Sequence, residues 1–500
     1  MLVLGVAFLG FFISIFALSI WWYTTIPRNL PPGPIGFPLI GSLFSTWKAK
    51  NLHTKLHNWT KLYGPVYKLY VADKLVLVLG SYDAIHEALV KQGDVYASRP
   101  NFEILSPEYY APGTGLVFSE GELWKVQRRF ALSTLKDFGF GRAIIEPAIK
   151  DEIRHLEKVF QEKNGQPFDP AYFLNKAIAN IISTLVFGKR FDYEDDSFHS
   201  IIGDIRTLLT ETDVSPLTPF VLSSKVQKVA SKLPSAKKSM EYTTSIAKFA
   251  RKEIVRSMQN FDPKHGEATN YVQAFYKAQH DREDNWSFTD EQLTTSVCNL
   301  FVAGTDTTAT TLRWAIFFLA FHPEWQEKMH AEIKTYFGDV QPDYADRVKL
   351  PVTTAIIMET QRLANLSPLG VNRRTIVDSK LYGYDIPKDT VVVPLLTAVL
   401  RDPDVYPDPE KFDPARFLDT GNEKQRNAQV TNWIPFLAGK RVCLGEPLAR
   451  MELFLLLSSF FVNYKFTFPT NQPKPPIDGE KVSFLRAPPD FRICAERRVD

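Results

Sequence analysis

The chain contains only three cysteines in 500 residues, and one of them lies in a pattern whose other members could take part in chemistry. The stretch PFLAGKRVCLGE holds Phe436, Gly439, Arg441, Cys443 and Gly445, which form F-x-x-G-x-R-x-C-x-G. Glycines permit a tight turn with exposed backbone amides, and the apolar run that follows predicts a helix with a proline in its first turn. A cysteine in front of a helix N-terminus is favoured as a thiolate, because the free amides and the helix dipole stabilise negative charge.

A single thiolate can hold only a metal whose other ligands come from elsewhere. Cys298, Cys443 and Cys494 are far apart in the sequence, so neither a CxxC pair nor a disulfide framework can be recognised. Zinc and iron–sulfur sites need several clustered ligands, and this spacing of the cysteines disfavours both. One thiolate suits a metal that a macrocycle holds in its plane. Haem meets this requirement, with Arg441 within reach of a propionate.

A second candidate segment, AGTDTT, lies inside a long helical pattern from Asp290 to Phe321. Glycine and threonine are poor helix formers, each costing a few tenths to about 1 kcal/mol. The hydroxyl of Thr307 can compete for the carbonyl of Ala303, and Gly304 would leave space beside the helix for water or a diatomic ligand. Asp306 then places an acid next to an alcohol, as a proton relay into a dry pocket requires. The alternative is an ordinary helix with a solvent-facing aspartate.

Two further pairs have the spacing of neighbours on one helix face. Glu359 and Arg362 in METQR are three residues apart and can form a charge-assisted pair, which Arg416 in FDPARF could extend to a structural network of three. Trp124 and Arg128 in WKVQR are four residues apart, so an indole N–H and a guanidinium could together bind an anion. The alternative for the second pair is an amphipathic helix with a buried tryptophan.

The elements that must position these residues are mostly helices. The composition is that of a globular protein, with 45% hydrophobic and 23% charged residues. A net charge of +3, without a basic helix that carries interleaved aromatic residues, disfavours a nucleic-acid partner. Val66–Leu79 alternates and Thr390–Leu396 is β-branched, so both are predicted strands. The predicted fold class is therefore mainly α with a small β portion. Apolar residues at helical spacing predict helices at Asn51–Leu62, Glu120–Leu135, Ala148–Phe160, Leu174–Phe187 and Lys237–Met258.

The N-terminus has the pattern of a membrane anchor. Residues 1–27 carry no charged side chain, and Leu2–Tyr23 would form an apolar helix roughly 33 Å long, enough to cross a bilayer core. Between this segment and Asp73, the charged side chains are all lysines apart from one arginine. Positive charge next to a membrane span predicts that the body of the protein faces the cytosol. Residues 28–44 are rich in proline and glycine and are predicted to be a hinge. Residues 45–500 are predicted to be one domain.

Taken together, these motifs resemble those of the cytochrome P-450 haem-thiolate monooxygenases. LPPGP, WKVQR, AGTDTT, ETQR, FDPARF and PFLAGKRVCLGE occur in the family's order over nearly the whole chain. YASRP and HPEWQEKMHAEI resemble the microsomal branch of animals, with its drug-, fatty-acid- and steroid-oxidising enzymes. Two positions differ from many relatives. Asp306 stands where glutamate is frequent, and both residues carry a carboxylate. Arg373 stands where histidine is frequent, and either side chain could bind a propionate.

The resemblance implies a cytochrome P-450 fold and a role for each matching residue. Cys443 would be the proximal ligand to the iron of haem b (iron protoporphyrin IX), and Asp306 and Thr307 would relay protons. The side chains that would bind the propionates are Trp124, Arg128, Arg373, Arg441 and Arg99. The residues that would brace the fold are Glu359, Arg362 and Arg416. The residues that would line the substrate pocket are Phe301, Ala303, Val371 and Leu485.

The resemblance also implies a membrane-bound monooxygenase that inserts one oxygen atom from O2 into an apolar fatty acid, steroid or xenobiotic. Electrons would come from NADPH through cytochrome P-450 reductase, with cytochrome b5 as a second candidate donor. The chain would be a single-pass protein of the endoplasmic reticulum membrane, in contact with lipid, with a cytosolic haem-binding catalytic domain. Two alternatives remain at this point: a thiolate-haem isomerase or lyase acting on oxidised lipid, and a non-catalytic haem sensor.

Overall fold

The computed structural model of the chain describes residues 29–37, 40–42, 45–46, 51–72, 74–100, 109, 111, 113–211, 227, 231–281, 286–419, 421–477 and 480–498. The predicted anchor, residues 1–27, lies outside this part of the chain, and the predicted hinge lies partly outside it. Within the described ranges, no helix combines the length and the apolar character that a membrane span requires.

Helices make up most of the described structure, as predicted. All five stretches with helical spacing are helical over most of their length. In chain order the α-helices are α1 Leu52–Tyr63, α2 Tyr82–His86, α3 Gly121–Asp137, α4 Glu146–Lys163, α5 Pro170–Phe187, α6 Asp196–Arg206, α7 Pro234–Met258, α8 Tyr271–Asp281, α9 Asp290–Phe321, α10 Pro323–Phe337, α11 Pro351–Ala364, α12 Leu396–Leu400, α13 Glu423–Asn432 and α14 Glu446–Asn463. Two π-helical turns, Glu87–Lys91 and Thr207–Glu211, continue α2 and α6.

The long helix α9 passes through the body and carries the AGTDTT segment. It has 32 residues and begins after Thr289, whose side chain accepts a hydrogen bond from the amide of Gln292. Both α9 and α5 are buried on nearly all sides, as expected of helices enclosed by others. The two pack along each other, and with α4 and α14 they form the largest hydrophobic core. Residues at the middle of α9 are therefore held by neighbours on several sides.

A small sheet lies against this helical body. The strands are β1 Val66–Val71, β2 Lys74–Leu79, β3 Arg373–Arg374, β4 Ser379–Leu381, β5 Tyr384–Ile386, β6 Val391–Pro394, β7 Tyr464–Thr467, β8 Lys481–Val482, β9 Arg486–Ala487 and β10 Cys494–Arg497. The largest sheet has the order β1-β2-β6-β3, in which only β2 and β6 run parallel. Three two-stranded sheets pair β10 with β7, β4 with β5, and β8 with β9. The prediction of a mainly α protein with a small β portion is confirmed.

Candidate active site

The cysteine loop is a tight turn immediately before α14. The amide of Cys443 donates to the Phe436 carbonyl at 3.1 Å, and Gly439 has a positive φ of 78°. A Cβ at Gly439 would overlap the carbonyl oxygen of Leu89 in the π-helical turn after α2. Glycine is therefore required there both for the backbone angle and for the close contact. The predicted helix begins at Glu446, with proline in its first turn.

The surroundings of the Cys443 side chain determine the pKa of its thiol. Cys443 is an exposed residue, yet burial by the surrounding protein raises the pKa of its thiol. Both observations hold when a side chain is surrounded by protein but not covered by it. The amides of Gly445 and Glu446 and the charge of Arg128 act to lower this pKa. The expectation that the helix N-terminus favours a thiolate is thus met only in part, because burial outweighs the amides. A coordinated metal cation would reverse the balance, since it deprotonates a thiol outright.

The five residues predicted to bind carboxylates lie together beside this loop. The Arg441 guanidinium stacks 3.8 Å from the centroid of the Trp124 ring and donates to the carbonyl of Ala97 at 2.9 Å. Arg373 donates to the Arg441 carbonyl at 3.4 Å. The remaining two arginines bind nearby backbone. Arg99 donates to the carbonyls of Val117, Val371 and Asn372, and Arg128 donates to that of Val442.

This cluster carries more positive charge than its surroundings neutralise. Burial, together with the charges of Arg373 and Arg128, lowers the pKa of Arg441 to about 8, and burial lowers that of Arg373 to about 9. Among the described residues only Glu120 opposes the effect on Arg441, and Glu120 is itself paired with Arg374 at 2.8 Å. Buried cations that lower one another's pKa are stabilised by a bound anion.

Two buried hydrogen-bond donors in the same cluster have no partner among the residues that the structure describes. They are the indole Nε1 of Trp124 and the Nη1 of Arg441. Buried polar groups are nearly always hydrogen-bonded, so an orphaned pair at one place indicates a ligand. Charged oxygen acceptors satisfy such donors best. The residues present therefore fit a group that carries carboxylates on one edge and a metal in reach of the Cys443 sulfur, as haem does.

The AGTDTT segment has the hydrogen bond that its composition predicts. The Thr307 hydroxyl donates to the Ala303 carbonyl at 2.7 Å, and Ala303 is exposed in the middle of an otherwise buried helix. The prediction of free space beside Gly304 is wrong. A Cβ at Gly304 would lie 2.9 Å from Cγ1 of Ile182 on α5, so this glycine allows the two helices to approach closely.

The side chain of Asp306 points towards α5, in a different direction from the side chain of Thr307. Its carboxylate accepts hydrogen bonds from Asn175 at 3.3 Å and from Thr310 at 3.4 Å, and the residue is 1% exposed. Burial raises its pKa to about 6, against the opposing charges of Arg313 and Arg206. A carboxyl that titrates near neutral pH can donate a proton under physiological conditions. Consecutive helical residues point about 100° apart, so transfer to Thr307 requires water or a side-chain rotation.

The predicted three-residue network is formed as expected. Arg362 donates two hydrogen bonds to Glu359, at 2.6 and 2.9 Å, and both side chains are completely buried. Arg416 approaches the same carboxylate at 3.4 Å. Arg362 also donates to the carbonyls of Leu400, Pro409 and Lys411. The network therefore joins α11 to the segment that precedes the cysteine loop.

The predicted pocket residues do not all lie at the same place. Ala303 is exposed and Val371 is half-buried, while Leu485 is 8% exposed and donates its amide to the Leu209 carbonyl. Phe301 has no accessible surface and stacks on Phe249 in the core. Its prediction as a pocket residue is wrong, because it lies about 200° around α9 from Ala303.

One buried acid near this site was not predicted. Glu452 of α14 is 1% exposed, and its Oε1 has no partner in the described part of the chain. Burial raises its pKa to about 8, while a hydrogen bond from Thr308 opposes the shift. The sequence held a signal for it, since a glutamate interrupts the apolar run MELFLLLSSFF. Asn175, the partner of Asp306 on α5, gave no such signal, because it is 131 residues away in the sequence.

The fold and the site together define a thiolate-ligated haem protein. Comparison with known proteins gives the family. The Cytochrome P450 family model matches residues 31–495, and the chain belongs to the cytochrome P450 family. Relatives include cytochrome P450 2H2 of Gallus gallus, 39% identical with 90% of each chain covered, and cytochrome P450 2J3 of Rattus norvegicus, 36% identical with 95% of this chain and 92% of the relative covered. Cytochrome P450 2A5 of Mus musculus is 34% identical over 99% of this chain and 98% of its own.

The predicted enzyme class and cofactor are therefore confirmed. The chain is a monooxygenase, an oxidoreductase whose cofactor is haem b bound through a cysteine thiolate. Membership of the family also implies a redox partner that donates electrons, O2 as the oxidant, and a hydrophobic substrate.

Replacing Arg441 by glutamine is expected to weaken haem retention. A hydrogen bond to a charged group contributes about 1.5 to 3 kcal/mol, so haem should leave the variant roughly 10 to 100 times faster. The rate of haem transfer to an excess of a haem-free globin measures this. Lys440→Gln is the matched control, since its side chain is 47% exposed and pairs with Asp94 at the surface. Equal haem-transfer rates for Arg441→Gln and the wild type would show that Arg441 does not bind a haem carboxylate.

Proposed function

We propose that this monooxygenase is anchored in the endoplasmic reticulum membrane and oxidises an apolar fatty acid, steroid or foreign compound. The substrate, O2, NADPH and one proton would yield the hydroxylated product, water and NADP⁺. The observation that carries the proposal is a buried cluster of arginines near Cys443 in which two donors, Nη1 of Arg441 and Nε1 of Trp124, lack a partner among the described residues. A charge-free N-terminal segment supports the anchor, because it would place the enzyme next to lipid-dissolved substrates.

Each residue of the site has a role in this proposal. Cys443 would hold the haem through its thiolate, and the bound haem would supply the activation of O2. Arg441 and Trp124 hold the carboxylates and so fix the orientation of the cofactor. Asp306 holds a proton that Thr307 passes on, since a hydroxyl can accept one hydrogen bond while donating another. The surrounding apolar core excludes bulk water from the relay.

The electron donor is proposed to be the NADPH-dependent P-450 reductase, with cytochrome b5 as a second donor. Two lysines near the cysteine loop support docking of an acidic partner at this face. Lys440 is three residues before Cys443, and Lys125 follows Trp124; their side chains are 47% and 55% exposed. Complementary charge would accelerate association in a manner that salt reduces.

Reconstitution tests the proposal directly. The purified protein would be combined with reductase, NADPH and a panel of fatty acids, steroids and foreign compounds, with and without O2. We expect an oxygenated product only when O2 and NADPH are both present. Product formed from an oxidised lipid without O2 would establish the isomerase alternative. NADPH consumption without product from every compound would contradict the proposed substrates.

Replacing Thr307 by alanine is expected to keep haem but to divert electrons to hydrogen peroxide. Loss of a positioned proton-transfer group typically costs a factor of about 100 or more, so the ratio of product to peroxide should fall at least tenfold. Product and peroxide measured against NADPH consumed give this ratio. Thr305→Ala is the matched control, because the Thr305 hydroxyl makes the same type of bond to the Phe301 carbonyl but is fully buried. Unchanged coupling in Thr307→Ala would exclude this hydroxyl from the relay.

A further inference from the structure

A group of charged residues connects the surface to the buried Asp306. Asp490, which is 60% exposed, lies 2.8 Å from Lys481 Nζ, 3.2 Å from Arg206 Nη2 and 3.9 Å from Arg313 Nη2. Burial acts to raise the pKa of Asp490, but Lys481 and the two arginines hold it below its ordinary value. Asp490 is thus an anion at neutral pH that three cations share.

Arg313 extends this group into the core. Its side chain is 3% exposed, and its Nε has no hydrogen-bond partner among the described residues. It stands seven residues after Asp306, on the same face of α9. Burial and the charge of Arg206 lower the pKa of Arg313, while Asp169, Asp306 and Asp490 oppose this effect. Acids near a buried arginine offset the cost of burying its charge, and Asp490, at 3.9 Å, is one of them.

The charged groups around Asp306 come from several elements. Arg313 stands on its own helix and Arg206 comes from α6, and both favour its ionised form. Asp490, after β9, and Asp169, before α5, act on Arg313 with the opposite sign. On the side of α14 the titratable group is Glu452, which is hydrogen-bonded to Thr308. The proton on Asp306 therefore depends on how far these two arginines are neutralised.

Asp490 also lies where α6 meets the β8–β9 hairpin. Lys481 of β8 approaches Glu211, at the end of the π-helical turn after α6, at 3.7 Å, and Arg206 approaches the same carboxylate at 3.7 Å. The backbone of this turn is joined to the hairpin by the bond from the Leu485 amide to the Leu209 carbonyl, at 3.0 Å. Asp490 thus holds Arg206 in place from a second side.

We propose that Asp490 is a positioning residue for the monooxygenase reaction, which pairs with Arg206 and Arg313 and keeps their charges partly neutralised towards Asp306. The inference rests on the proposed function of Asp306 as a proton donor. In each transfer Asp306 gives up one proton and regains one from solvent. With Asp490 neutral, the two arginines act more strongly, and Asp306 is ionised at a lower pH. Fewer molecules then carry the proton at neutral pH.

Two variants that change the charge around Asp306 in opposite directions test the proposal. Asp490→Asn removes a negative charge and should move the titration midpoint of Asp306 down, whereas Arg206→Gln removes a positive charge and should move it up. A charge at 4–6 Å shifts a pKa by about 1 to 3 units, and these groups act from somewhat further away, so a shift of roughly half a unit is expected. That shift would reduce the ratio of product to peroxide about threefold in Asp490→Asn at neutral pH.

Two measurements are made on the full-length holoenzyme between about pH 5 and pH 8. The first is the infrared absorption of the protonated carboxyl of Asp306, assigned by its loss in Asp306→Asn. The second is the ratio of product to peroxide. Asp385→Asn is the matched control, because Asp385 is a half-exposed aspartate that pairs with Lys380 on the β4–β5 hairpin. It should leave both midpoints unchanged.

Opposite shifts of the infrared midpoint in the two variants would support the proposal. Shifts in the same direction would mean that both variants merely loosen the contact between α6 and the hairpin, and this result would overturn the proposal. The absence of any shift would overturn it as well. Failure of the relay is distinguished by Asp306→Asn. Unchanged coupling in that variant would refute Asp306 as the proton donor, while the infrared midpoints would still decide whether Asp490 controls its proton.

Discussion

Replacing Cys443 by serine is expected to abolish the thiolate-type spectrum of the ferrous carbonyl complex and to reduce substrate oxidation below about 1% of the wild-type rate. Loss of a residue that merely supports a metal ligand costs a factor of about 10 to 100, and loss of the ligand itself should cost more. A serine hydroxyl is a far weaker donor to iron than a thiolate, and burial of this position further disfavours its ionisation.

The control for this change is a cysteine in another part of the fold. Cys494 is 8% exposed in β10, where it pairs with Thr467 of β7. Cys494→Ser therefore makes the same chemical replacement away from the loop, and it should keep the spectrum and the activity. A Cys443→Ser protein with the wild-type carbonyl spectrum would rule out this sulfur as the iron ligand.

Replacing Arg362 by alanine is expected to lower the free energy of unfolding by about 3 to 5 kcal/mol, the typical cost of removing one partner of a buried ion pair. The Glu359 carboxylate would lose both of its short hydrogen bonds from Arg362. Three backbone carbonyls, those of Leu400, Pro409 and Lys411, would lose their donor as well. Arg362→Lys should recover only part of this loss, because an ammonium cannot reproduce the planar fork of the guanidinium.

Urea unfolding followed by circular dichroism and by haem absorbance measures the effect. Arg154→Ala is the matched control, because Arg154 also pairs with an acid three residues earlier, Asp151 at 2.9 Å, but with a side chain that is 67% exposed. An exposed pair contributes about 0 to 1 kcal/mol. Similar losses in Arg154→Ala and Arg362→Ala would show that the buried network does not brace the fold.

The features that could be predicted from the sequence are those set by local spacing. Glu359 and Arg362 share a face of α11 wherever the helix lies, and the glycines around Cys443 determine a turn before α14 from backbone geometry alone. The hydroxyl of Thr307 has the Ala303 carbonyl within reach in any helix. Predictions of this kind depend on a few neighbouring residues and not on the rest of the fold.

The errors arose where a neighbouring element determines the role of a residue. Gly304 gives no sign in the sequence that Ile182 lies against it, and Phe301 is turned into the core by the packing of α7 on α9. Arg206 and Asp490 are 284 residues apart, and no local pattern relates them. The grouping of Arg99, Arg128, Arg373 and Arg441 could be predicted only through the family resemblance, since the four arginines come from separate segments of the chain.

The close contact at Gly439 has a consequence for inherited variation. Every single-base change of a glycine codon that substitutes another amino acid introduces a Cβ. At this position that atom would collide with the carbonyl oxygen of Leu89, and the backbone angle would be strained in addition. Even alanine is then a damaging missense allele, so codon 439 has no mild replacement within one mutational step.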